Sequence, residues 1–141
     1  MSNIPSRCSL SVTCSFRGTR AVKFESGLLK LCDGEDGTKL KIREKINVKE
    51  ERWDLFSKAA SFLEVDKWKS DFDPEDLDVV VFDGCSWVFD YENSGVECSS
   101  HGLNAYPSYK DYETTLEPDR MLLLILAMDS LLGRRYLAEY I

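Results

Sequence analysis

Cys98 and His101 are the residues of this sequence whose types and spacing come nearest to supporting nucleophilic catalysis. The thiol of a cysteine enzyme needs an imidazole as its base and a third group that orients the imidazole. His101 is the only histidine, it lies three residues after Cys98, and the sequence offers only this pair. A buried thiol beside a polar loop histidine is the commoner arrangement, so catalysis is the least favoured functional interpretation.

Neither metal nor nucleotide chemistry has a motif behind it. The five cysteines include no Cys-x-x-Cys pair, and a single histidine lacks the paired spacing of structural zinc sites. The glycines form neither G-x-G-x-x-G nor G-x-x-x-x-G-K, the two patterns that cradle nucleotide phosphates. The sequence therefore predicts a protein without a cofactor.

The acidic run at residues 71–78 is the second group of side chains with chemical potential. Its five carboxylates are those of Asp71, Asp73, Glu75, Asp76 and Asp78. A calcium loop of the EF-hand type needs glycine at its sixth position, where this run has Asp76, and Pro74 interrupts it. A solvated acidic loop is the favoured interpretation, and we expect these carboxylates to face a basic protein partner.

The elements that must position these groups centre on residues 79–107. Residues 79–82 form an apolar run, Asp83-Gly84 suits a hairpin turn, and an alternating strand follows. The side chains predicted to face the core along that strand are those of Cys85, Trp87, Phe89 and Tyr91. A third strand is predicted near residues 96–100, and residues 101–107 then form an exit loop. This loop is the segment in which we expect specific recognition.

Two short motifs in this region resemble a pattern found in small bacterial proteins. An Asp83-Gly84-x-x-Trp87 strand is followed by a Gly102-x-Asn104-Ala105-Tyr106-Pro107 turn, with Trp53 and Trp68 upstream. Some proteins with this pattern, whose activities are uncharacterised, look like the small acidic immunity proteins that are encoded beside toxins. The resemblance implies a small domain that binds a partner protein.

The second motif also has a physical interpretation. Glycine permits the strand exit, Asn104 tolerates a left-handed backbone or bonds the backbone, and Tyr106-Pro107 would hold the loop against the sheet. A structural role is favoured over a binding role. The binding alternative assigns partner contacts to His101, Asn104 and Tyr106.

The first 48 residues predict a meander of three or four antiparallel strands. Apolar and polar residues alternate without a fault over residues 8–16, and the alternation resumes after a turn, at Val22 and Phe24. The last of these strands, within residues 40–48, has a wholly basic outward face. Lysine there guards an exposed sheet edge, which is the favoured interpretation, or forms a docking stripe.

Two helices complete the predicted elements. Asn47 and Glu50 have the spacing of a capping box, which starts a helix of about 14 residues with one apolar face. A second helix follows Pro118, and its residues 121–128 have no polar face, so it is either buried on several sides or part of an interface. Residues 64–78 between the first helix and the central strands are predicted to be a loop or a frayed extension.

Composition and charge exclude several classes of protein. The net charge is −7, and residues 64–92 carry ten acids against two basic residues, so no positive footprint supports general nucleic-acid binding. The apolar run at residues 121–128 is far shorter than the roughly 20 residues of a membrane span. Five is an odd number of cysteines and residues 1–7 do not form a signal peptide, so we expect free thiols in a reducing cytoplasm.

These observations predict one α+β domain over residues 1–141, with an antiparallel sheet of about six or seven strands and two main helices packed mostly on one face. We expect a non-enzymatic, acidic, cytoplasmic module of the bacterial immunity or inhibitor type that binds a basic protein partner and neither nucleic acid nor membranes. The first alternative is a homo-oligomeric structural or accessory protein that dimerises through residues 121–132. The second is a cysteine-dependent enzyme that uses Cys98 and His101.

Overall fold

The computed structural model describes residues 3–35, 39–78, 84–109 and 111–140. The strands of this part of the chain are β1 (Arg7–Cys14), β2 (Gly18–Glu25), β3 (Leu28–Gly34), β4 (Lys41–Ile46), β5 (Asp71–Phe72), β6 (Cys85–Asn93), β7 (Val96–Leu103), β8 (Tyr106–Pro107) and β9 (Thr114–Thr115). Its α-helices are α1 (Glu50–Phe62) and α2 (Asp119–Leu132), and short 3-10 helices span Val65–Lys67, Pro74–Leu77 and Leu137–Tyr140. The strand predicted at residues 79–82 and the turn residue Asp83 lie outside the described residues.

A seven-stranded sheet in the order β4-β3-β2-β1-β6-β7-β5 is the framework of the molecule. Neighbouring strands are antiparallel except for β5 and β7, which are parallel. β1 lies in the middle, where Leu10 is directly opposite Val22 of β2 and Phe89 of β6. Strands β8 and β9 form a separate two-stranded sheet. The predicted α+β class and strand number are confirmed.

The hydrophobic core lies on one face of the seven-stranded sheet, beneath α1 and α2. Alternate side chains of β1 and β6 enter it, because a strand sends successive side chains to opposite faces. Trp87 is buried, and its indole N–H donates a hydrogen bond to the backbone oxygen of Ala105 at 2.9 Å. The rings of Trp68 and Phe72 lie 6.2 and 5.8 Å from that of Trp87, centroid to centroid. The predicted inward orientation of Trp87 is confirmed.

Helix α1 begins later than the proposed capping box would place it. Lys49 is the N-cap residue and makes no side-chain cap, whereas the sequence predicted that Asn47 would cap the helix. Ile46 and Val48 pack against the core, so the chain continues in an extended form until Lys49. The capping-box prediction was wrong for this reason, although the length of α1 agrees with expectation and Trp53, Phe56 and Ala60 are buried. The buried stripe is narrower than predicted, because Leu55 and Phe62 are exposed.

Helix α2 runs antiparallel to α1 and is anchored to it at both ends. Arg52 of α1 donates to the backbone oxygen of Leu131 at 3.1 Å, and Arg120 of α2 donates to that of Leu63 at 3.4 Å. Gly133 ends α2 in a left-handed conformation. The helix is not surrounded by protein on every side, since Leu123 and Leu126 are exposed.

The segment after α2 is held by a buried carboxylate. Asp129 accepts hydrogen bonds from the backbone N–H groups of Tyr136, Leu137 and Ala138, at 2.8, 3.0 and 3.0 Å. These bonds give the buried carboxylate its hydrogen-bond donors. They also give acceptors to the N–H groups at the start of the 3-10 helix, which would otherwise be buried without a partner. Sequence reasoning did not assign a role to Asp129.

Three strand boundaries differ from the predictions. The alternation that began at Cys8 ends at Cys14, and Phe16 lies in a turn with a positive φ of 68° and its side chain exposed. The 64–78 segment is not a simple loop, because Trp68 and Phe72 are buried and β5 joins the sheet. His101, predicted to begin a loop, lies within β7, which continues to Leu103.

β4 is an edge strand whose side chains do not keep one alternation. The pairing register shifts between Leu31 and Cys32 of β3, which reverses the facing of the β4 residues that precede Glu44 relative to those that follow it. Ile46 therefore packs against the core, while Ile42 is exposed instead of pointing inward as the spacing predicted.

The expectation of five free thiols was wrong. Cys14 and Cys85, directly opposite each other on β1 and β6, form a disulfide with their Cα atoms 4.1 Å apart. Cys8, Cys32 and Cys98 are free and buried. The two bonded cysteines are 71 residues apart in the sequence, so only the strand order brings them together. Among the described residues, no helix is long and apolar enough to cross a membrane.

Candidate functional site

The acidic run predicted to face a partner starts on the edge strand β5, at Asp71, and continues through the short helix Pro74–Leu77 that follows it. We call Asp71, Asp73, Glu75, Asp76 and Asp78 the acidic edge. Phe72 and Pro74 are buried and fix this segment to the core, which turns the neighbouring carboxylates outward. Four of the five carboxylates are exposed, and that of Asp73 is half-buried. The structure thus displays these side chains on an ordered segment rather than on a loop.

The conformation of the acidic edge is set by local hydrogen bonds. The Asp73 carboxylate accepts from the backbone N–H of Glu75 at 2.9 Å and caps the short helix Pro74–Leu77. Asp78 ends that helix in a left-handed conformation with φ of 55°. The carboxylates on either side of the cap therefore project from a tight turn.

Two members of the acidic edge contact a lysine or a histidine side chain. Asp76 accepts hydrogen bonds from the Thr114 hydroxyl at 2.5 Å and from Lys69 at 3.2 Å. Both hydrogen bonds lower the pKa of the Asp76 carboxyl, and the bond from Thr114 has the larger effect. The carboxylate of Asp71 lies 3.0 Å from Nε2 of His101.

Glu75 and Asp78 are the uncommitted members of the acidic edge. Their side chains are exposed, and among the described residues neither has a basic group within ion-pair distance. A carboxylate with no counter-charge nearby attracts an approaching cation or basic surface more strongly than one that is already paired.

The structure brings His101 to the acidic edge but leaves Asn104 and Tyr106 apart from it. His101 lies directly opposite Asp71 in the parallel β5–β7 pairing, and its imidazole is exposed. Tyr106 is only 8 % exposed, and its burial raises the pKa of its phenol. Asn104 bonds the backbone of Cys85 instead of facing solvent fully.

The spacing of the two sequence motifs has a structural explanation. Oδ1 of Asn104 accepts from the N–H of Cys85, and a Cβ placed at Gly84 would overlap that amide oxygen. A Cβ at Gly102 would overlap the Trp87 indole and the backbone oxygen of Ala105. Only glycine permits these close approaches, so both glycines serve the packing of the motif side chains.

Cys98 and His101 are not arranged for catalysis. Residues three apart in a strand point to opposite faces, so the Cys98 thiol enters the core while the imidazole of His101 faces outward. Burial raises the pKa of the Cys98 thiol to about 11, and its nearest polar partner is the Ser100 hydroxyl at 3.3 Å. The pairing on which the cysteine-enzyme hypothesis depended is therefore contradicted.

The described ranges contain no group of three or more His, Cys, Asp or Glu side chains that could hold a metal ion. The acidic edge does not form such a group, because its carboxylates project from a turn instead of converging on one point.

A second surface of interest lies on the two helices. Four large apolar side chains are exposed there: Phe62 by 74 %, Leu55 by 64 %, Leu126 by 51 % and Leu123 by 41 %. We call these four residues the apolar helix surface. Exposed apolar side chains gathered on adjacent elements are typical of protein interaction sites. The sequence signal was the absence of a polar face in residues 121–128.

Comparison with known proteins adds no assignment: no protein-family model matches the chain, and no curated protein matches it.

Proposed function

We propose that this chain is a non-enzymatic protein-binding module, of the bacterial immunity or inhibitor type, whose acidic edge binds a basic partner protein. The observation that best supports the proposal is the ordered display of four exposed carboxylates on β5 and the short helix that follows it, with Glu75 and Asp78 lacking any basic neighbour among the described residues. Complementary charge raises the rate of encounter and selects the partner.

The order of the acidic edge supports the same proposal. Phe72 and Pro74 hold the segment in the core, and the Asp73 cap fixes the turn that follows. A surface that is already ordered loses little conformational entropy when it binds, so its charges contribute more of their attraction to affinity. His101 extends this surface beside Asp71.

The proposal includes a cytoplasmic location, as the sequence predicted. The Cys14–Cys85 disulfide is the observation that weighs against a reducing compartment. Trapping of free thiols at the moment of lysis, followed by mass analysis of the endogenous protein, decides between the two. Alkylation of all five cysteines supports the cytoplasm, and alkylation of three contradicts it.

A pull-down from the native host tests the proposed partner surface. The bait is the wild-type chain, compared with a Glu75→Lys/Asp78→Lys variant that reverses the two uncommitted charges. We expect the wild-type chain to retain a basic protein that the variant does not retain, and we expect salt to release it, because the attraction is electrostatic. The captured protein is then purified and its binding is measured directly.

The matched control reverses two acids elsewhere. Glu50→Lys/Glu51→Lys makes the same change of net charge in the first turn of α1, away from the sheet edge. Retention of the partner by this control and its loss by the edge variant support the acidic edge. An identical partner list for wild type and edge variant would contradict it.

A second candidate function is supported by the apolar helix surface. The homo-oligomeric structural or accessory protein assembled through residues 121–132 would bury Leu123 and Leu126, which are exposed in the single chain. Light scattering of wild type and Leu126→Lys tests it. Loss of a wild-type dimer in the variant supports this candidate, and a wild-type monomer excludes it.

A further inference from the structure

The sheet face that is turned away from the core is divided by charge. We call it the open face. One row of side chains crosses it in register, in the strand order β4, β3, β2, β1, β6 and β7. Its members are Lys45, Lys30, Lys23, Ser9, Asp90 and Ser99. The basic members occupy one half of the sheet, and the acidic member lies in the other.

Three lysines directly opposite one another on adjacent strands are an unfavourable arrangement for a monomer. We call Lys23, Lys30 and Lys45 the lysine ladder. Adjacent strands are about 4.8 Å apart, and like charges directly opposite each other destabilise a sheet. The side chain of Lys30 is only 16 % exposed, and its carboxylate partner is Glu25 at 3.4 Å.

The other two lysines have no such partner. Among the described residues, no carboxylate lies within ion-pair distance of Lys23 or Lys45. One carboxylate for three ammonium groups leaves an excess of positive charge on this half of the open face. A negatively charged surface that covers the lysine ladder would reduce the repulsion.

The opposite half of the open face carries the complementary excess. Glu92 and Glu97 lie directly opposite each other on β6 and β7, and this proximity, mainly a hydrogen bond with Glu92, raises the pKa of Glu97. Arg7 is shared between Asp90 at 2.6 Å and Glu92 at 3.1 Å. Three acids with one arginine therefore leave an excess of negative charge.

The position of β1 makes these two halves self-complementary. β1 is the fourth of seven strands, with β2, β3 and β4 on one side and β6, β7 and β5 on the other. A two-fold axis along β1 places β2, β3 and β4 of one copy over β6, β7 and β5 of a second copy. Each lysine ladder then faces the acidic half of the other copy, as an isologous interface requires.

The side chains in the middle of the open face permit this approach. On this face β1 carries Ser9, Ser11 and Thr13, which are small and half-buried. Two sheets that pack face to face lie about 10 Å apart. Large side chains along the middle of β1 would hold the two sheets further apart; the one long side chain of β1 on this face is that of Arg7, at the first residue of the strand, where it pairs with Asp90 and Glu92.

We propose that the open face binds a second copy of this chain in a two-fold, face-to-face dimer, with each lysine ladder facing Asp90 and Glu97 of the other copy. The apolar helix surface lies on the covered side of the sheet and takes no part. The inference does not rest on the proposed function, because the variants that test it leave Glu75 and Asp78 unchanged.

Two charge variants and their mixture test the proposal by sedimentation velocity. Lys23→Glu/Lys45→Glu makes both halves of the open face acidic, and Asp90→Lys/Glu97→Lys makes both halves basic. We expect each variant to be monomeric alone, and an equimolar mixture to form a heterodimer. We expect the wild-type dimer to dissociate on going from about 20 mM to about 500 mM NaCl, since salt screens exposed charges.

The other outcomes overturn the proposal. A wild-type chain that stays monomeric at about 100 μM in low salt has no affinity of the expected kind. A dimer that persists in both charge variants, or that is lost in Leu126→Lys, uses another surface. Binding of an acidic peptide by the lysine ladder of a monomeric wild-type chain would assign the ladder to a different partner. If a charge variant fails to fold by circular dichroism, the wild-type salt dependence and the Leu126→Lys control still decide.

Discussion

Asn104 forms hydrogen bonds with both backbone groups of Cys85, the first residue of strand β6. Its side-chain oxygen accepts from the Cys85 N–H at 2.8 Å, and its own N–H donates to the Cys85 oxygen at 2.9 Å. Asn104 adopts a positive φ of 53°, a conformation that asparagine tolerates better than most residues. This position therefore favours asparagine for two reasons, the hydrogen bond of its side-chain amide and its tolerance of a left-handed backbone.

Substitutions at Asn104 should separate these two contributions. Asn104→Ala loses the side-chain bond and adds left-handed strain, so we expect a loss of about 2–3 kcal/mol in the free energy of unfolding. Asn104→Gly loses the bond but not the backbone preference, and about 1–2 kcal/mol is expected. Asn104→Asp keeps an acceptor and should lose least. Urea unfolding measures all three, and equal losses would contradict this account.

Asp129 should be among the polar residues most important for stability. Asp129→Ala leaves three buried N–H groups without an acceptor, each of which costs about 1–3 kcal/mol. We expect a loss of at least about 3 kcal/mol in urea unfolding. The Asp129→Asn variant keeps one side-chain oxygen as an acceptor, so its stability should fall between those of wild type and Asp129→Ala. A stable Asp129→Ala with an unchanged tail, judged by hydrogen exchange at residues 136–138, would contradict the assignment.

The Cys14–Cys85 disulfide should stabilise the chain in a way that depends on reductant. It closes a loop with a sequence separation of 71 residues, for which the chain-entropy relation gives about 4 kcal/mol. We expect dithiothreitol to lower the urea midpoint of the wild-type chain by a corresponding amount. A Cys14→Ser/Cys85→Ser variant is the control, and its midpoint should not respond to reductant. A wild-type midpoint that ignores reductant would contradict a bonded pair.

The hydrogen bonds to Asp76 predict a contribution to stability that acid removes. Its folded pKa lies below the usual carboxyl value, so the contribution is present above that usual value and is lost as pH falls through the folded pKa. Hydrogen bonds from Lys67 and Tyr112 lower the pKa of Glu64, so Glu64 also contributes stability that is lost as the pH falls. Asp76→Asn should therefore lose less stability than wild type between about pH 5 and about pH 2, in urea midpoints measured across that range. Asp66→Asn is the matched control, and an acid limb unchanged by Asp76→Asn would contradict the prediction.

Sequence reasoning succeeded where local periodicity decides the structure. The alternation on β1 and on β6 identified the buried side chains, including Trp87, because half-buried strands impose a period of two. It failed where distant pairing decides. The register shift opposite Cys32 exposes Ile42, and the Cys14–Cys85 disulfide depends on β1 pairing with β6.

The clustering of the five carboxylates was predictable from the sequence, whereas their geometry and the separation of Asn104 and Tyr106 from them were not. The five carboxylates are adjacent in sequence, so their clustering followed from the chain itself. The contact between Asp71 and His101 requires the parallel pairing of a two-residue strand, which no period of two residues can signal. An acid directly after eight consecutive apolar residues of α2 was the available signal for Asp129, since such a carboxylate must be exposed or fully hydrogen-bonded.

Calorimetric titration of the purified partner into the chain tests the proposed role of the acidic edge most directly. We expect Glu75→Lys/Asp78→Lys to weaken binding at least about tenfold, and Glu50→Lys/Glu51→Lys to bind as wild type does, because only the first pair belongs to the proposed binding surface. We also expect the wild-type affinity to fall as NaCl is raised. Equal affinities for wild type and the edge variant, unaffected by salt, would contradict the account.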